Sequence, residues 1–402
     1  MERSTLKSGG WTVESLRPFY RDTWAEVDLD AIAHNIHAIK STLPEHVHIM
    51  AVVKANAYGH GAADVARESL AAGASILGVA ILDEAIALRQ EGIVAPILVM
   101  GYVRPEDVKI ACELNITLTV FQAEWATLAL QTLQDSTLKL HCHLKLDTGM
   151  NRIGMKTEEE IDELLAVLET TKKIIVDGAY THLAKADEHD KQYTFKQIDR
   201  FNQLLDHLRI KGIDPFFKHC ANSAGTLQYE QAPFNVIRAG IAMYGLTPSI
   251  EMKPTLPVKL KQAFSLHSKV THVKRLGPGE KVSYGGTYET KQEEWIITIP
   301  IGYADGFIRA NQSGEVLVNG DRAPIVGRVC MDQLMVRVKE EVPVGTKVTL
   351  IGAQGDSHIS TDEVAERLET INYEVSCIIS YRVPRAIVKD GKTLHIHNRV
   401  FS

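Results

Sequence analysis

Apolar positions along this chain follow two grammars. From about residue 30 to residue 260, short continuous apolar runs alternate with segments of helical, amphipathic spacing. The runs lie at 48–53, 76–80, 97–100, 117–120, 140–146, 174–180, 216–220 and 235–238. Most are compact rather than alternating, which suits parallel strands covered on both faces. Stretches such as 83–89 and 158–168 read as the intervening helices. Asp30 is placed to cap an earlier helix through Ala31, Ile32, Ile36 and Ile39. Eight strand–helix repeats are what a closed (β/α)8 TIM-type barrel requires. Beyond residue 260 strand signals come without long helices between them: 295–300, 315–318 running into Asn319-Gly320, 328–338, 348–351 and 395–397. Asn-Gly between apolar runs is a strong hairpin signal. The expected architecture is therefore α/β: a flexible tail over 1–20, a barrel over 21–259, and a mostly β domain over 260–402.

Composition narrows the function classes. Hydrophobic residues at 45% and charged residues at 23% exclude wholesale disorder. Lys+Arg 44 against Asp+Glu 50 gives a net charge of −6, which argues against a dedicated nucleic-acid binder. No apolar run approaches the ~18 residues of a membrane span, and the opening MERSTLKSGG lacks the apolar core of a secretory signal. The five cysteines are scattered, without a C-x-x-C pair, as expected of reduced thiols in a cytoplasmic protein.

Candidate chemistry gathers where a barrel puts it, at the C-terminal ends of strands. Lys54 ends the first run; Lys145 and Asp147 end the fifth, with Arg152 just beyond; His182 follows the sixth; His219, Asn222 and Ser223 belong to the seventh; Arg238 ends the eighth. A lysine at the end of an apolar strand is desolvated, which favours a neutral amine able to form a Schiff base; the competing reading is a surface lysine. Gly59-His60-Gly61 fails as a dinucleotide loop, because Asp64 stands at the third glycine position. His141-Cys142-His143 reads as barrel lining rather than metal, since the cysteine points away from the two histidines in a strand. Ser223-Ala224-Gly225 and Ala239-Gly240-Ile241 follow the late strands, where barrels commonly bind phosphate. A Schiff-base lysine with a phosphate cup points to pyridoxal phosphate; an aldolase acting on a phosphorylated sugar is the chemical competitor.

The motifs AVVKANAYGHG (51–61), LKLDTGMNRIG (144–154), THLAKAD (181–187), HCANSAG (219–225), IRAGIAMYGL (237–246), VSYGGTY (282–288), GRVCMDQ (327–333) and INYEVSCIISYRVPR (371–385) resemble, in order, those of the alanine racemase family of pyridoxal-phosphate enzymes. The resemblance implies that Lys54 carries the cofactor as a Schiff base. It implies that Tyr58, Asn222, Ser223, Gly240, Ile241 and Tyr373 lie around the cofactor, most of them at its phosphate. By the same resemblance Arg152 would stand beside its phenolic oxygen and, with Met331 and Asp332, near the substrate. Lys145 matches the lysine often carbamylated to orient that arginine. Tyr284 matches a second acid/base supplied by a partner subunit. His182, His219 and Arg238 match a hydrogen-bonded chain toward the pyridine ring, and Asp187, Tyr303, Arg309 and Arg328 match residues that line a substrate corridor.

On this reading Lys54 and Tyr284 serve opposite faces of Cα, each in turn base and acid, to interconvert L-alanine and D-alanine for peptidoglycan. Arginine can only donate hydrogen bonds, so Arg238 favours an unprotonated pyridine nitrogen and a weaker electron sink, which suits racemisation over transamination. A homodimer with shared sites follows from the expected origin of Tyr284 and Met331. A serine or broad-specificity racemase is the alternative reading. A single-domain pyridoxal-phosphate carrier and a basic amino-acid decarboxylase of the same fold fit less well, because of the β domain and Arg238 respectively.

Overall fold

A computed structural model describes residues 18–230, 232 and 234–400; the expected tail lies outside the described residues as far as residue 17. The first strand, β1 (Thr23–Asp28), is followed by helix Leu29–Lys40, whose Ala31, Ile32, Ile36 and Ile39 form its buried face. Then come the eight strands foreseen from the apolar runs: β2 (His48–Val52), β3 (Ile76–Val79), β4 (Ile97–Val99), β5 (Thr117–Val120), β6 (Leu140–Lys145), β7 (Ile174–Tyr180), β8 (Phe217–His219) and β9 (Val236–Ala239). They form one parallel sheet in the order β8-β7-β6-β5-β4-β3-β2-β9. Bonds from Asn235 N to Lys218 O at 3.4 Å and Arg238 N to Ala221 O at 3.0 Å draw the two ends together. The barrel is nearly closed, and its strand ends share one mouth.

The second unit is a mostly antiparallel eleven-stranded sheet. The Asn319-Gly320 turn is present, both residues at positive φ (52° and 87°), joining Glu315–Val318 to Asp321–Val326. Phe264, Leu266, Ile297, Val316, Leu350 and Ile351 belong to its core.

Two expectations shift. The barrel was expected from residue 21, yet β1 pairs antiparallel with Phe264–Lys269 and parallel with Arg385–Lys389. Among the described residues the compact units are accordingly 29–263 and, separately, 18–28 together with 264–400. The burial of β1 alternates residue by residue, a pattern of a sheet with two unlike faces rather than of a barrel strand. The expected run 328–338 is strand only over Leu334–Val338; the residues before it form a loop that carries Arg328, Met331 and Asp332.

Candidate active site

Lys54 follows β2 and opens a turn of unusual hand. Ala55, Asn56, Ala57 and Tyr58 all have φ between 52° and 54°, and Gly59 closes the turn at 86°. Left-handed residues cost about 1–2 kcal/mol each for anything but glycine, so four in succession need external support. Bonds from Ala57 N to Val53 O (2.8 Å) and Gly59 N to Ala55 O (2.9 Å) close the turn. The Glu84 carboxylate accepts from Ala55 N at 2.5 Å and from Ala80 N at 2.8 Å. The Asn56 side chain accepts from Ala62 N at 3.1 Å. Gly59 and Gly61, rejected above as a dinucleotide loop, end this turn and start helix Ala62–Ala71. Strain concentrated beside a candidate nucleophile is a mark of functional sites. It fixes Lys54 with its Nζ 6.0 Å from the Tyr58 ring centroid.

Tyr58, Ser223 and Gly240 converge on one spot. Asn222 caps helix Ser223–Gln228 by accepting from Gly225 N at 2.9 Å. Ser223 Oγ accepts from Gly240 N at 3.0 Å and Ala242 N at 3.3 Å. A Cβ at Gly240 would stand 3.0 Å from the Tyr58 hydroxyl and 3.8 Å from Ser223 Oγ. Two hydroxyls and the backbone around Gly240 and Ile241 thus make a small cradle that a side chain at Gly240 would crowd. Its donors suit a phosphate, and the residues present fit pyridoxal phosphate.

Beneath the mouth lies a buried cationic chain. Arg238 Nη1 donates to His219 Nδ1 at 2.9 Å. Its Nη2 donates to Thr181 O and Cys220 O, each at 2.9 Å, and to His182 Nδ1 at 3.2 Å. Tyr180 lies flat on His219, ring centroids 4.7 Å apart. Burial, then the charge of Arg238, holds His182 and His219 well below the usual imidazole range. Both are therefore neutral. Lys145 Nζ donates to Leu146 O at 3.0 Å. Burial, then Arg238, lowers its ammonium to about 7, with Arg152 acting in the same direction and Asp147 opposing. Arg152 sits in a loop that returns on β6 through Asp147 N to Met155 O at 2.8 Å and Met155 N to Lys145 O at 2.9 Å. Asp187 is half-buried, and burial raises its carboxyl.

The remaining candidates belong to the other unit. Tyr284 is 72% exposed, in a turn where Ser283, Gly285 and Gly286 have positive φ. Ser283 Oγ donates to Arg328 O at 2.6 Å, so the Tyr284 and Arg328 loops are joined. Tyr303 N and Ala304 N donate to Cys330 O and Met331 O, each at 3.0 Å, which sets Tyr303 beside Met331. Arg382 holds Asp332 at 2.8 Å. Arg309 opens the short helix Arg309–Ser313, and Tyr373 lies in helix Asn372–Cys377.

Sequence reasoning missed Glu84, Tyr180, Arg382 and the role of His143. Only His143 carried a local signal, its place in His141-Cys142-His143. There His141 pairs with Asp177 at 2.6 Å, while His143 turns inward to His219 at 2.9 Å.

Comparison with known proteins meets this geometry. The family model described as alanine racemase, N-terminal domain, matches residues 27–248, and that for the alanine racemase C-terminal domain matches 263–387. An alanine racemase of Geobacillus kaustophilus is 55% identical over 95% of this chain and 98% of its own length. Alanine racemase 1 of Bacillus subtilis is 52% identical over 96% and 97%. The crystal structure of a Bacillus anthracis alanine racemase with bound L-Ala-P superposes with a TM-score of 0.93 at 51% identity, covering 96% of this chain and all of that one. A histidine racemase of Leuconostoc mesenteroides superposes with a TM-score of 0.86 at 36% identity, covering 92% of this chain and 98% of that one. With both domain models matched and relatives above half identity over nearly their whole length, the chain belongs to the alanine racemase family.

Proposed function

We propose that this chain interconverts L-alanine and D-alanine with pyridoxal phosphate, using Lys54 and Tyr284 as acid/bases on opposite faces of Cα. The observation that carries the reading is the convergence at one barrel mouth of a strained Lys54 turn, a hydroxyl-lined cradle and a buried arginine. When bound, pyridoxal phosphate supplies an electron-withdrawing group that makes the Cα proton labile. Lys54 would hold it covalently; Tyr58, Asn222, Ser223, the backbone at Gly240 and Ile241, and Tyr373 would hold its phosphate. Arg238, which can only donate, would meet the ring nitrogen as a donor and would leave no proton stored there. Proton traffic is thereby directed to Cα.

Once the substrate amine has displaced it from the cofactor, Lys54 would take or return the proton on one face, and Tyr284 on the other. A phenol ordinarily titrates near ~10 and needs a stabilising neighbour to act as a base at neutral pH. Neutral His182, accepting from Arg238 at Nδ1, carries its proton on Nε2 and can donate it to the phenolate. Arg152, oriented by a carbamate on Lys145, and Met331 with Asp332 bind the substrate; Asp187, Tyr303, Arg309 and Arg328 line its approach. Exposure of Tyr284 and of Met331, the latter 53% exposed, supports a homodimer in which each copy completes the other's site. No helix among the described residues is long and apolar enough to cross a membrane; we place the protein in the cytoplasm, supplying D-alanine for peptidoglycan.

A broader side-chain range is the second reading, because the same fold in the Leuconostoc protein serves a histidine racemase. Incubation of the holoenzyme with L-alanine, L-serine and L-histidine, followed by chiral chromatography, tests both. D-alanine as the dominant product supports the first reading; equal or faster turnover of another amino acid overturns the alanine assignment.

A further inference from the structure

The buried imidazole chain runs one residue past His219. Arg238 has donors only, so His219 Nδ1, 2.9 Å from Nη1, is an acceptor and bears no proton. The single proton of neutral His219 then sits on Nε2, which lies 2.9 Å from His143 Nδ1. His143 must accept there and keep its own proton on Nε2. Burial lowers His143 to about 3, so it is neutral as well. The site for its ring is built into the barrel. A Cβ at Gly178 would lie 2.6 Å from three atoms of the imidazole, so only glycine leaves room. A bulge between Cys142 and His143 interrupts the β6–β7 register at that point. Phe217 stacks on the ring at 5.7 Å.

We propose that His143 is a positioning residue for racemisation: by accepting at Nδ1 it locks His219 in the Nε2–H tautomer, and His219 in turn locks the guanidinium of Arg238. This rests on the reading of Arg238 as the group facing the ring nitrogen. Without His143 as acceptor, the Nε2–H of His219 is buried without a partner. The ring can then shift to the Nδ1–H tautomer and present that N–H to Arg238, donor against donor. The guanidinium is pushed off its line, and the control that favours Cα protonation weakens.

Neutron diffraction of the deuterium-exchanged holoenzyme reads the tautomers directly. Deuterium on Nε2 of both His219 and His143 is the expected result; deuterium on Nδ1 of either overturns the proposal. Kinetics tests the consequence. His143→Leu lowers kcat about tenfold with KM changed by less than about twofold, and pyridoxamine phosphate accumulates faster during turnover. His143→Gln, whose amide oxygen accepts in the same place, restores most of kcat. A folded His143→Leu enzyme with native kcat and native product partition overturns the proposal. Arg238→Glu separates the two levels: native kinetics in that variant overturns the reading of Arg238, and with it the role of His143, while the tautomers stand on their own.

Discussion

Arg238 makes the most specific chemical statement of any single residue here. It is buried, its two terminal nitrogens donate to three carbonyls and two imidazoles, and a guanidinium has no acceptor atom. Replacing it with a carboxylate reverses that polarity. Arg238→Glu removes charge-assisted hydrogen bonds worth about 1.5–3 kcal/mol each, so kcat falls at least about tenfold and pyridoxamine phosphate, the transamination product, accumulates. Its absence by chromatography after prolonged turnover would count against the account. Lys145 gives a second prediction at this scale. A buried amine lowered to about 7 is largely neutral above that pH, and a neutral amine is the form that adds carbon dioxide. Holoenzyme equilibrated with carbon-13 bicarbonate at pH 8 shows a carbamate resonance that Lys145→Met lacks, and the signal fades as pH drops through 7 and the amine takes up a proton. An unmodified ammonium at pH 8 refutes it. Lys54, Ser223 and Arg238 were legible in the sequence because strand ends in a barrel point to one mouth. The partnership of His143 with His219, which lies across two strands, was not, because local spacing says nothing about which distant side chain a buried ring will meet.

The elements show the same division. Eight apolar runs became eight parallel strands, since continuous burial on both faces leaves a signature in every strand. β1 was assigned to the wrong unit: its alternating pattern belongs to a two-faced sheet, and its partners Phe264–Lys269 and Arg385–Lys389 lie more than two hundred residues away. The left-handed turn after Lys54 was not legible at all, as Ala-Asn-Ala-Tyr has no glycine to announce it. Its strain is measurable. Ala55 is exposed, at φ 53°. Ala55→Gly relieves about 1 kcal/mol and raises Tm by a few degrees, while freeing Lys54 and lowering kcat; a lowered Tm would show that the turn is not strained. At the cradle, a Cβ at Gly240 crowds the Tyr58 hydroxyl at 3.0 Å. Gly240→Ala therefore weakens pyridoxal phosphate binding about tenfold, the equivalent of about 1.4 kcal/mol, with little change in Tm of the apoprotein. Unchanged cofactor affinity by equilibrium dialysis would remove the phosphate from that place.

For the molecule as a whole, the account requires two copies. Tyr284 and Met331 lie exposed on their own unit, and a second chain is the proposed source of the acid/base opposite Lys54. Specific activity then falls on dilution in step with the dimer fraction seen by sedimentation, and a fully active monomer contradicts the shared site. Mixing Lys54→Ala with Tyr284→Phe chains restores activity, because half of the sites in mixed dimers regain both groups. The central claim is racemisation by two opposed acid/bases, and racemisation of L-alanine in deuterium oxide tests it most directly, with chirality and Cα isotope read together. The account predicts D-alanine carrying deuterium at Cα from the first turnovers, while recovered L-alanine stays largely protiated, with pyruvate negligible. D-alanine that retains the original proton would mean one base working on both faces, and no D-alanine at all would mean a different reaction.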